Sequence, residues 1–202
     1  MSVLIALGGR LRSGKDAYAD RLVARHGFVK LGMSDPILEH MLAVDPWIKV
    51  RIREGIRLRI WPGFRLASRL VDRLGFVDAK SIRDFRAYMQ RDGSEGGREF
   101  FGEDTWVNVM RERVAARLAA GQLVVITGIR IPNELAMVRE LGGTALWVSR
   151  PSMEAAPGTH STERSLEPAH FDEVIDNSGT LEGLHARADE RACTAAMERS
   201  AS

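Results

Sequence analysis

Cysteine occurs once, at Cys193, so the chain can form neither an intramolecular disulfide nor a cysteine zinc site. No apolar run approaches membrane-spanning length. The first residues enter a strand-like run at once, so no signal peptide and a cytoplasmic location are expected. Net charge is also scarce: 29 Lys and Arg against 27 Asp and Glu leave +2, and no stable nucleic-acid partner is implied. No segment repeats. Apolar residues are plentiful instead, at 45% of 202 residues, enough for the core of one domain with an insertion.

The most informative stretch is Gly9-Arg10-Leu11-Arg12-Ser13-Gly14-Lys15-Asp16. It follows the apolar run Val3–Leu7 and precedes a helical pattern over Ala17–Arg25, the context that gives a G-x-x-x-x-G-K match its meaning. Glycines let the backbone turn tightly, so that successive N–H groups point into one concavity. The helix N-terminus adds partial positive charge and Lys15 a full one. The chemistry is that of a polyphosphate site. Asp16 stands where Ser or Thr usually offers a hydroxyl to Mg²⁺; it reads either as a metal-binding carboxylate or as a first-turn acid of the helix.

Strands are expected at Val3–Leu7, Phe28–Leu31, Leu123–Thr127, Thr144–Ser149 and Asp172–Asp176, alternating with helices. Such alternation predicts an α/β fold with a five-stranded parallel sheet and helices on both faces. Pro36 suits the first position of a helix capped by Ser34 or Asp35. Ile82, Phe85, Tyr88 and Met89 share the inward face of a helix over Ser81–Gln90, and Trp106, Met110, Val114 and Leu118 mark another that Gly121 closes. Gln90–Arg98, rich in glycine and polar groups, reads as a binding loop or a helix start. Between Ile48 and Leu74 the pattern is mixed: Ile56–Ile60 alternates with arginine, Phe64–Leu74 has helical spacing, and Trp61-Pro62-Gly63 is a turn. Its arginines read as a solvated face or as an anion-binding surface. The apolar residues around Trp47 to Phe64 would pack on the core or on a partner. Arg150–His170 is polar and without period, long enough to suggest a functional segment.

Ligands of parallel sheets gather at the carboxyl ends of the strands, where the phosphate loop, Ser34-Asp35, Gly128-Ile129-Arg130 and Arg150 fall. The strand Val124–Gly128 ends without the acid that an ATPase needs. A small-molecule kinase needs arginines around the moving phosphoryl group and a lid against water. Arg98 and Arg130 are candidates for the former, and the segment with His160-Ser161-Thr162-Glu163-Arg164 suits the latter.

The ordered set of motifs resembles the phage-type deoxynucleoside monophosphate kinases, of the adenylate-kinase-like P-loop kinases, over almost the whole chain. Carrying the likeness are Arg12-Ser13-Gly14-Lys15-Asp16, Ser34-Asp35-Pro36, Gly75–Lys80 with Arg86 and Gln90, Gly93-Ser94-Glu95 with Arg98, and Gly102-Glu103-Asp104-Thr105-Trp106-Val107. Arg130–Glu134, His160–Arg164 and Ile175–Leu181 complete it. The resemblance implies a three-layer P-loop kinase fold, one domain over 1–202 with an acceptor-binding helical region about 34–104 and a lid about 150–172. It implies ATP-dependent phosphorylation of a deoxynucleoside monophosphate, with Mg²⁺, no membrane, a cytoplasmic setting (the host's if phage-encoded), and a homodimer, as in better-known members. Gly9, Arg12, Ser13, Gly14, Lys15, Asp16 and Ala17 would hold ATP phosphates, Asp16 the metal, and Asn177 would lie near the adenine. Ser34, Asp35, Arg86, Gln90, Arg98, Trp106 and Arg130 would meet the acceptor, while Lys15, Arg130 and Arg164 act on the transferring group. Gly128 departs from the family, which commonly has Asp there. Phosphomevalonate kinases share the S-G-K-D loop, so another phosphorylated acceptor is the alternative, and a nucleotide- or nucleic-acid-binding regulator is a third reading.

Overall fold

The computed structural model describes residues 3–151 and 165–200. In chain order its elements are β1 (Leu4–Gly8), α1 (Lys15–His26), β2 (Val29–Gly32), α2 (Asp35–Val44), β3 (Trp47–Val50), α3 (Ile52–Leu58), β4 (Gly63–Leu66), α4 (Ala67–Ala79), α5 (Arg83–Arg91), a π-helical stretch Asp92–Glu99, α6 (Thr105–Ala119), β5 (Val124–Ile129), α7 (Pro132–Glu140), β6 (Thr144–Ser149), a 3₁₀ turn Pro168–His170, β7 (Glu173–Asp176) and α8 (Leu181–Ser200). The chain divides into two compact units, residues 1–33 with 107–202, and residues 34–106.

The first unit holds the five-stranded sheet, in the order β2-β5-β1-β6-β7, with all neighbours parallel. β1 is central and buried throughout, which is why its sequence is an unbroken apolar run rather than an alternating one. Ile5 and Leu7 pack with Tyr18 and Leu22 of α1 and Leu184 and Ala188 of α8. Leu4 and Ala6 face the other way, toward Met110 and Val114 of α6 and Leu135 and Val138 of α7. Helices therefore cover both faces, as the alternation of elements predicted. Both faces bury a continuous apolar cluster, worth roughly 1.5–3 kcal/mol for each of the larger side chains, and this packing holds the strand ends in place.

β5 runs two residues beyond its expected end. Leu7 pairs with Thr127 but Gly8 with Ile129, so Gly128 is an extra residue in the ladder. Its φ of 89° is left-handed, a conformation any other residue would strain to adopt.

The second unit packs around Met41, Ile48, Val50, Leu70, Ile82, Phe85 and Met89. The inward face expected of Ser81–Gln90 is observed in α5. Ile48–Leu74 differs from expectation. β3 and β4 form an antiparallel ribbon, Trp47 opposite Leu66 and Val50 opposite Gly63, and α4 begins only at Ala67. The Ile56–Ile60 alternation is instead the end of α3 and its exit through Arg59, at φ 55°. Gln90–Arg98 is not a loop: α5 continues directly into the π-helical stretch. Trp47, Ile52, Ile56, Trp61 and Phe64 stay exposed and do not join the unit's own core.

α1 and α8 are clamped by charge as well as by packing. Arg21 donates from Nε and Nη2 to both carboxylate oxygens of Asp189, at 2.9 and 2.6 Å, and His26 Nε2 lies 2.8 Å from Asp189 Oδ1. The hydrogen bonds from Arg21, then from His26, hold the Asp189 carboxyl well below the usual carboxylate range. A depressed folded-state value gives stability that is complete above the ordinary carboxylate pKa of about 3.9 and is lost as pH falls further. Asp189→Asn should therefore lower the melting temperature at pH 7, and the gap from the parent protein should narrow steadily below about pH 4. A gap that stays constant with pH would show that Asp189 does not act through its charge.

Candidate active site

The phosphate loop joins the central strand to the first helix, and its backbone must reverse within residues 9–14. It does so with positive φ at Gly9, Arg12 and Gly14. Gly14 caps α1 at φ 102°, and a side chain there would collide with the Asn177 amide, so glycine is required twice over. Ser13 N–H donates to Arg10 C=O at 3.1 Å, closing the turn. Asn177 Nδ2 donates to Ser13 C=O at 2.7 Å in a buried contact, and the Asn177 N–H is itself held by Ser149 C=O at the end of β6. Below the loop, Phe171 packs on Gly8 and tilts against Trp147, with ring centroids 5.1 Å apart. The Arg10 guanidinium lies 5.7 Å over the Trp147 ring.

Lys15 is the first residue of α1 and is buried, its Nζ donating to Arg10 C=O at 3.3 Å. The ammonium is thus folded back over the loop at a helix N-terminus, where positive potential is greatest. Ser13 is fully buried and its Oγ has no hydrogen-bond partner among the described residues. An orphaned hydroxyl costs about 1–3 kcal/mol, and an oxygen of a bound phosphate would relieve it. The loop thus fits a polyphosphate. Ala17, two residues into α1, is half-buried against the core.

Asp16 is exposed in the first turn of α1, and its Oδ1 lies 3.3 Å from Lys30 Nζ. Lys30 also contacts Asp20 at 2.9 Å. Burial opposes the charged lysine, but the hydrogen bond with Asp20 and the charges of both carboxylates outweigh it and raise its pKa. Among the described residues no group of three His, Cys, Asp or Glu side chains could enclose a metal. Mg²⁺ beside a triphosphate needs only one or two carboxylates, the rest being water and phosphate oxygens, and the open carboxylate of Asp16 fits that role.

Arg130 follows the bulge at Gly128. The Glu134 carboxylate accepts the Arg130 N–H at 2.7 Å and the Ile131 N–H at 3.3 Å, which fixes the turn into α7. Thr127, buried at the end of β5, went unmarked in the sequence because no motif includes it.

In the second unit, Ser34 precedes α2 and its Oγ accepts from Lys80 Nζ at 3.1 Å; Asp35 is the first residue of the helix. Arg86 and Gln90 lie one turn apart on the exposed face of α5. Arg98 is half-buried in the π-helical stretch. Trp106 is buried, donates from Nε1 to Gly93 C=O at 3.1 Å and packs on Gly97, so its polar atom shapes that stretch. Arg164 and His160 lie outside the described residues. Of the expected lid, the described end is anchored: Leu166 is buried with Val107 and Leu135 among the residues of one core cluster.

Asn177, expected near the adenine, has its side-chain amide engaged with the loop. Asn177→Ala should leave the sheet intact, cost about 1–3 kcal/mol in denaturant unfolding, and speed amide hydrogen exchange at residues 10–14. Unchanged exchange there would show that the loop holds its form without Asn177.

No curated protein matches the chain. Solved structures do. Dephospho-CoA kinase from Campylobacter jejuni is 8% identical and covers 96% of this chain and 97% of its own, with a TM-score of 0.50. TT1252 from Thermus thermophilus is 22% identical over 98% and 97% of the two chains, at 0.45. A sugar kinase from Janibacter sp. HTCC2649 is 17% identical over 93% and 92%, also at 0.45. The first of these likenesses shows a shared P-loop kinase fold. Residues 75–188 match the profile described as deoxynucleotide monophosphate kinase. That match spans more than half of the chain, which therefore belongs to the deoxynucleotide monophosphate kinase family.

Proposed function

We propose that this protein moves the terminal phosphoryl group of ATP to the phosphate of a deoxynucleoside monophosphate, yielding the diphosphate. The observation that carries the reading is the preformed loop at the end of β1, with Lys15 buried over it, in a chain of this family. Magnesium, held by Asp16, would draw charge from the phosphate oxygens.

Lys15 and backbone amides of the loop bind the triphosphate and offset the charge that builds on the departing ADP as its bond to the terminal phosphorus breaks. Arg130, stiffened at its backbone by Glu134, neutralises charge on the transferring group. Arg98, with Ser34, Asp35, Arg86, Gln90 and Trp106 of residues 34–106, recognises the acceptor. Arg164, in a lid of about 150–172, excludes water and adds a further cation. Asn177, which braces the loop, lies near the adenine. A cytoplasmic setting belongs to the same proposal; no helix among the described residues is long and apolar enough to cross a membrane. So does a homodimer, which the exposed Trp47, Trp61 and Phe64 support.

A coupled ADP-release assay over dGMP, dTMP, dCMP, dAMP and phosphomevalonate tests the acceptor class. Turnover with at least one deoxynucleotide, and none with phosphomevalonate, is expected; release with phosphomevalonate alone, or with no acceptor, would sink the reading. Lys15→Ala should keep the fold by circular dichroism and lose at least about a hundredfold in kcat, the scale of removing one preorganised charge donor. Arg164→Ala should behave likewise, and near-normal turnover would remove that residue from the mechanism.

A further inference from the structure

Lys30 belongs to none of the motifs that marked the phosphate loop, yet its ammonium touches Asp16. It stands on β2 beside Val125 of β5 and reaches α1, where it bridges Asp16 and Asp20, one helical turn apart. The contact engages Oδ1 of Asp16. The Asp16 side chain is otherwise largely open to solvent, 67% exposed.

This arrangement answers a problem that the usual loop does not have. A Ser or Thr hydroxyl offers a metal one oxygen. A carboxylate offers two, and the ion that accepts both is the larger one. Mg²⁺ demands near-octahedral geometry, keeps its waters and takes carboxylates one oxygen at a time, whereas Ca²⁺ takes them readily through both oxygens at longer distances. A carboxylate with one oxygen engaged by an ammonium gives that oxygen less readily to a metal and leaves the other as the better ligand. Lys30 is well placed to impose this, because it is mounted on a strand of the central sheet and Asp20 steadies its Nζ at 2.9 Å.

We infer that Lys30 is a positioning residue that makes Asp16 a one-oxygen ligand and so sets the preference of the nucleotide site for Mg²⁺ over Ca²⁺. The inference rests on the reading of Asp16 as the metal-binding residue. A lysine that merely offset negative charge would act on both ions alike, since they carry the same charge. The ratio of the two affinities is therefore the diagnostic quantity.

Isothermal titration calorimetry of ADP binding to the full chain, in Mg²⁺ and separately in Ca²⁺, reads that ratio without turnover. The parent protein should bind ADP more tightly with Mg²⁺. Lys30→Met should narrow the ratio by about three- to fivefold, the scale of one partly exposed ion pair, chiefly through tighter binding in Ca²⁺. Thermal denaturation without metal checks that the variant is folded, and Lys30→Gln repeats the measurement should Lys30→Met not be. Asp16→Asn should abolish the preference. If Asp16→Asn does so while the Lys30 variants leave the ratio unchanged, or shift both affinities equally, the role given to Lys30 is overturned and that of Asp16 survives. If Asp16→Asn leaves both affinities as they were, Asp16 does not hold the metal and the inference falls with that reading.

Discussion

A loop that binds phosphate with its backbone must keep several N–H groups pointing into one space before any anion arrives. Left alone, residues 9–14 would sample many turns that scatter those groups. The protein prevents this by fastening the loop to the far end of its own sequence. Ser13 C=O accepts from Asn177, Asn177 is held by the end of β6, and a side chain at Gly14 would displace that same amide. The aromatic pair Trp147 and Phe171 supports the floor, with no room at Gly8 for more than a hydrogen. Much of the first unit can be read as the means of holding this one turn: a central strand to deliver it, a helix to leave it, and β6 and β7 to brace it.

Charge at the loop follows from the same economy of space. The strand beside β1 carries Thr127 and a bulged Gly128 near its end rather than an acid. The carboxylate near the loop is on the helix instead, at Asp16, where the N-terminal dipole favours it. The bulge has a second effect. It displaces the chain by one residue, so Ile129 returns to the core and Arg130 leaves the sheet at the start of α7, where Glu134 fixes its amide. A glycine that looks like a lost functional group is thus also a backbone device that decides where the next arginine stands.

The five strands, the covering helices and the loop were legible because each is a local pattern: an apolar run, a 3.6-residue period, glycines before a lysine. The second unit was less so. β3 and β4 have four residues each, too few for alternation to be distinguished from a helix face, and the arginines of α3 mimic a strand over Ile56–Ile60. Gln90–Arg98 was read as a loop or helix start from its glycines, yet Gly93 and Gly97 are buried, the first bonded to Trp106 and the second against its ring. Within the site, the loop and its lysine announced themselves; Lys30 did not, since a lone lysine in a strand carries no pattern.

Sequence alone therefore determined the α/β class, the strand positions to within two residues, and the glycine-rich turn between the first strand and the first helix, because those depend on neighbours a few residues apart. Tertiary structure decided the rest. That Asn177 braces the loop, that Asp16 stands beside Lys30, and that Gly128 bulges within a strand are set by partners far away along the chain. Asn177 and Ser13 are separated by 164 residues, and only the register of the sheet brings them to within hydrogen-bonding reach.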